Sequence, residues 1–152
     1  MGFLPGSTGA AYSDAFALIE IALACVLLAG MFIVRRGNVR LHRTVQSTVI
    51  LGNLPIVLAW MLPRYLSSVL PDLPGELGAP AYLLPTVMFA LGASAEILGI
   101  YIVLVAGTGW IPERYRFRRY KLWMRTELVL WWSVVVTGLS TYYLWYYLGG
   151  LS

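Results

Sequence analysis

Three carboxylates stand inside apolar runs of this sequence: Glu20, Glu96 and Glu127. Acids in such surroundings are costly, and they often serve proton relays, ions or ligands. Glu96 is the deepest. It lies within Ala93-Ser94-Ala95-Glu96-Ile97-Leu98-Gly99, where small residues let another helix approach closely. An isolated carboxylate there must be protonated or hydrogen-bonded. Two roles fit it: a functional one (proton relay, ligand or partner contact) and a buried structural hydrogen bond. Glu127 follows Arg125 by two residues, which suits an interfacial acid paired with a loop cation. Glu20 lies roughly two turns into the first apolar run, which suits interfacial hydrogen bonding.

The single histidine, His42, opens the second apolar run. One histidine cannot build a multi-ligand metal site. A headgroup-level or capping role fits it, as does a single axial ligand to haem or chlorophyll. The sequence requires no cofactor, and a haem or chlorophyll-type pigment is the kind it would admit. The single cysteine, Cys25, excludes an intrachain disulfide and a CxxC motif and reads as a small packing residue. Ser133, Thr137 and Thr141 recur every four residues beside Gly138 and predict a helix-packing face with modest interhelical hydrogen bonds. Trp131 and Trp132 admit a sharper role, contact with a pigment or quinone. Nothing in the sequence supports a hydrolytic triad, a phosphate loop or a zinc site, and no enzymatic activity is expected.

These residues need elements to place them. Of the 152 residues, 59% are hydrophobic and 12% are charged, about half the charged share of a soluble domain. That balance predicts an all-α membrane protein of one domain, residues 1–152. The net charge of +4 is confined to the interhelical loops, which favours lipid and topology over nucleic acid as its reason. Residues 1–12 are small and uncharged, without the basic start of a signal peptide.

Four apolar helices are predicted, over about 13–34, 44–61, 81–106 and 122–148, each long enough to cross about 30 Å of hydrocarbon. Ser13 or Asp14 would cap the first. Pro55 falls inside the second and would kink it, as membrane helices tolerate. A proline-rich loop from Leu62 to Pro80 follows, with a short interfacial segment at Tyr65–Leu70. Gly107-Thr108-Gly109 ends the third helix, and Gly149-Gly150 ends the fourth. Aromatic belts flank the fourth helix. Trp123 and Trp145 are 22 residues apart, about 33 Å along a helix, which matches a bilayer.

The loops 35–43 and 110–121 hold nine of the eleven Lys and Arg residues. The positive-inside rule makes both cytoplasmic and puts both termini outside. The expected fold is an integral membrane four-helix bundle in a bacterial-type cytoplasmic membrane. Its expected partners are membrane lipids and other integral membrane subunits, with no nucleic acid.

From His42 onward, over roughly 110 residues, the chain resembles domain-of-unknown-function family 420. These are four-helix membrane proteins that include an assembly factor of haem–copper oxidases. The likeness rests on His42-Arg43 opening helix 2, the small-residue middle of helix 3, the Arg-rich loop, and Trp131, Val136-Thr137-Gly138 and Tyr142 in helix 4. The family typically carries several membrane-edge histidines. Here Arg64, Glu96 and Phe117 or Tyr120 stand in their places. The resemblance therefore implies a relative that keeps the fold without the ligand set: a non-catalytic subunit or assembly factor of a respiratory oxidase or photosynthetic reaction centre. A pigment-binding electron carrier and a small oligomeric transporter using Glu96 are the alternatives.

Overall fold

A computed structural model describes residues 10–76, 78–108, 110–116 and 119–147, with side chains from 14 to 144. Every element among the described residues is helical: α1 (Ala10–Arg35), α2 (Val39–Ile56), a π turn (Val57–Met61), α3 (Leu62–Ser68), α4 (Leu73–Glu76), α5 (Pro80–Gly107), a 3-10 turn (Glu113–Tyr115) and α6 (Tyr120–Tyr147). Among the described residues, three helical stretches are long and apolar enough to cross a membrane: Asp14–Arg35, Val39–Ser68 and Pro80–Gly107.

Three helix ends differ from the sequence expectation. The first helix starts at Ala10, so Asp14 lies inside it rather than at its start. Its carboxylate instead accepts the hydroxyl of Tyr142 on α6. The second helix is longer at both ends. Asn38 caps it, with Oδ1 accepting from the Leu41 amide at 3.1 Å, so Arg40, His42 and Arg43 lie on the helix. The turn before it closes on Gly37, whose φ of 84° suits glycine. The Gly37 amide bonds Val34 and the Asn38 amide bonds Ile33, the two bonds of a Schellman ending.

At its far end α2 runs through Pro55 and continues by the π turn into α3. The expected interfacial segment at Tyr65–Leu70 thus belongs largely to this longer helix. The reason is local: Pro63 has no amide hydrogen and crowds the carbonyl four residues back, and the wider turn before it lets the helix continue. The other boundaries agree within two residues, and position 148 with the Gly149-Gly150 stop lies outside the described residues.

The four long helices pack in the cyclic order α1, α2, α5, α6, with α5 against α6 the most extensive pairing. The central cluster takes one residue from each: Leu27, Val49, Ala95 and Trp131. Apolar side chains also face outward, among them Phe32, Leu51, Val129 and Ile97, the last 70% exposed. An apolar exterior of this kind suits lipid better than water.

Candidate functional site

The inner faces of α2, α5 and α6 bring polar groups together beside that cluster. Glu96 on α5 is only 5% exposed, and its Oε2 accepts from Asn53 Nδ2 on α2 at 3.2 Å. Glu127 on α6 is also 5% exposed, and its Oε1 accepts from Trp131 Nε1 at 2.9 Å. The spacing of four residues brings Glu127 and Trp131 together on one helical face. Gly99, three residues after Glu96, makes room for the carboxylate. A Cβ there would stand 2.8 Å from Glu127 Oε1 and 3.1 Å from Ile50 Cδ1.

Glu20 and Glu127 both lie within electrostatic range of Glu96, so three helices direct acids toward one region. Three buried oxygens in this region have no partner: Asn53 Oδ1, Glu96 Oε1 and Glu127 Oε2. Acceptors buried without donors are expensive. Protons on the carboxyls, a water, or a hard cation bound through oxygen would each satisfy such a set.

A second polar contact ties α2 to α1. His42 is buried, and its Nδ1–H donates to the Gly30 carbonyl at 2.8 Å. Gln46, one turn on, donates to the Leu27 carbonyl at 3.2 Å. Gly30 permits this approach, because a Cβ there would meet Gln46 Nε2 at 2.6 Å. His42 is therefore an interhelical tie and not the helix cap, since Asn38 already caps the helix.

Glu127 takes its hydrogen bond from Trp131 rather than from a loop cation. The helix begins at Tyr120, which puts Glu127 two turns inside, turned toward Gly99. Trp131 is 2% exposed and belongs to the core, whereas Trp132 is half-buried. The hydroxyl stripe makes no interhelical bonds. Ser133, Thr137 and Thr141 each donate to the carbonyl four residues back, at 2.8 Å. Local back-bonding satisfies a hydroxyl without a neighbour. The three do share one face, spread over about 80° of the helix. Ser133 is half-buried and Thr141 buried, while Gly138 packs on the Met88 sulfur of α5. Cys25 is exposed rather than packed inside.

At the proline-rich end, Glu20 lines an apolar pocket, half open to the surroundings, with Trp60, Arg64, Met88 and Tyr142. Phe16 stacks on Trp60 with ring centroids 4.4 Å apart, and Tyr65 stacks on Phe89 at 4.2 Å. Among the described residues, no group of three His, Cys, Asp or Glu could hold a metal ion.

Sequence reasoning missed Asn53, Gln46 and the Asp14–Tyr142 pair. For the first two a signal existed: His42, Gln46, Val49, Ile50 and Asn53 follow helical spacing and mark one inward stripe of α2. No family model matches the chain, and neither the curated proteins nor the solved structures offer a match.

Proposed function

We propose that this chain is a single-domain integral membrane protein of a bacterial-type cytoplasmic membrane, a non-catalytic subunit or assembly factor that docks on a larger bioenergetic complex. In this reading α6 is the fourth crossing of a four-helix bundle. The basic turns at 36–38 and 108–119 face the cytoplasm, and both termini face outside.

One observation carries the docking role: the outward face of α6. Leu122, Val129, Val136 and Tyr143 recur every seven residues and are each more than half exposed. Thr126, Ser133 and Ser140 fall between them at the same interval. Their hydroxyls bond the carbonyls of Leu122, Val129 and Val136, so they present small notches that need no outside partner. Large residues alternating with small ones at a heptad interval fit the knobs and holes of a neighbouring transmembrane helix. The occupant is a helix of a partner subunit.

Affinity purification from mild detergent, followed by mass spectrometry and an absorption spectrum, tests the reading. The expected result is co-purification of membrane subunits of an oxidase or reaction centre. Ser133→Leu with Ser140→Leu, which fills two notches, should abolish it while the chain still inserts. Isolation as a monomer without partners under the same conditions refutes the proposal.

A second reading is favoured by the three unpartnered oxygens around Glu96: proton or cation movement by an oligomer of this chain. Unchanged ion flux in liposomes after Glu96→Gln removes it.

A further inference from the structure

We propose that the basic end of the molecule holds a site for an acidic phospholipid, in the cleft between α1, α2, α5 and α6. The inference rests on the membrane-spanning reading above. The cleft encloses about 1920 Å³ of empty space, part of it open to the surroundings. Its walls are zoned. Arg35, Arg43, Lys121 and Arg125 line it and are exposed, so they form its rim. Leu27, Ile50, Ile102 and Val105 line it and are buried, so they form its floor. Arg116 also lines it, but its guanidinium already donates to the Ile111 and Thr108 carbonyls.

The zoning selects the ligand class. A free anion would use the rim and leave the apolar floor unexplained. A hydrocarbon would use the floor and leave four cations without a counter-charge. An amphiphile with an anionic head satisfies both walls, and basic pockets between transmembrane helices on the cytoplasmic side are suited to acidic headgroups. The positive-inside rule accounts for the sign of the loops. It does not account for four cations from three helices around one apolar-floored cleft.

Two further groups restrict how the ligand sits. Glu127 lines the inner part and is bonded to Trp131, so the phosphate stays at the rim and the chains take the depth. His42 lines the cleft with Nε2 buried and unpartnered, while its Nδ1–H is committed to Gly30. With that proton fixed, Nε2 is an acceptor and needs a donor. A glycerol headgroup hydroxyl supplies one, which points to the phosphatidylglycerol class.

The test uses the purified full chain in neutral detergent. It is titrated with short-chain phosphatidylglycerol, with phosphatidylcholine of the same chains, and with inorganic phosphate. The readouts are the melting midpoint and the lipid retained in native mass spectrometry. Phosphatidylglycerol should raise the midpoint and be retained, while the other two do neither. Each rim cation removed should weaken binding about five-fold, so Arg43→Gln with Arg125→Gln loses roughly 25-fold. Arg64→Gln, at the opposite end, should leave binding unchanged. If the double variant fails to fold, Lys121→Gln alone should still lose about five-fold. An equal response to phosphatidylcholine, an equal response to inorganic phosphate, or full affinity in the rim variants overturns the proposal. Membrane residence is measured separately by resistance to alkaline carbonate extraction, so loss of lipid selectivity leaves that reading intact.

Discussion

Replacing Gly99 by alanine is the sharpest test of the polar centre. The added methyl would stand 2.8 Å from Glu127 Oε1 and 3.1 Å from Ile50 Cδ1. Neither neighbour is free to yield. Ile50 is fully buried, and the carboxylate is held by Trp131. Overpacking a filled core costs about 1–3 kcal/mol. If the carboxylate gives way instead, the Trp131 bond is lost at a similar cost of about 1–3 kcal/mol. Alanine returns about 1 kcal/mol over glycine as a helix former. The net expectation is a loss of up to about 2 kcal/mol, or up to roughly 8 °C in the melting midpoint of a chain this size. Melting in mild detergent, followed by tryptophan emission, measures it. Gly52→Ala is the control, because nothing stands within 4 Å of a Cβ at that site. It should be neutral or slightly stabilising. In a Glu127→Ala background the Gly99→Ala penalty should shrink, since one of the two clashes is gone. A Gly99→Ala protein that melts at or above the parent, as Gly52→Ala should, refutes the packing of Glu127 against α5.

Trp131→Phe keeps most of the buried ring but removes the indole N–H, leaving Glu127 Oε1 without its donor. A loss of about 1–3 kcal/mol is expected, and an unchanged melting midpoint would show that the bond contributes nothing. Asn53→Leu should cost a similar amount by stripping Glu96 Oε2 of its amide donor, and Asn53→Gln, which can still reach, should restore part of it. In a Cys25→Ser background, an impermeant thiol reagent applied to intact cells should label Glu76→Cys and spare Arg114→Cys. The reverse pattern overturns the orientation.

The sequence showed the long helices because each needs only a sustained apolar run, and such runs are visible without tertiary information. It hid the ends of α2 for a specific reason. Arg40 and Arg43 look like loop residues at the near end, and Pro63 and Arg64 look like loop residues at the far end. Only the Asn38 cap and the π turn show that the helix passes through both. Glu96 was legible as a buried acid because of its depth in an apolar run. Its partner was not, since Asn53 lies 43 residues away and the pairing depends on how α2 and α5 face each other. Glu127 and Trp131 carried a readable spacing, but the nearby cations suggested a different partner. The inward turn of Glu127 follows from Gly99, a residue on another helix. The small residues around Glu96 did foretell a close approach. What approaches is a carboxylate as well as a helix.

The π turn at Val57–Met61 governs the phase of everything beyond it. An α-helix advances about 100° per residue, so a turn that absorbs one extra residue rotates the following segment by that angle relative to an uninterrupted helix. Arg64 and Tyr65 lie just past the turn, and both line the apolar cavity that Trp60 and Glu20 also line. Were the turn to tighten into regular α-helix with every residue kept, the outer segment would screw round by about 100°, Tyr65 would leave its stack on Phe89, and Arg64 would swing out of the cavity wall. Deleting one residue between Val57 and Met61 as the turn tightens would restore both. That end of the helix behaves as an indexed dial: its side chains reach their stations through one extra backbone residue upstream, as well as through the contacts they make on arrival.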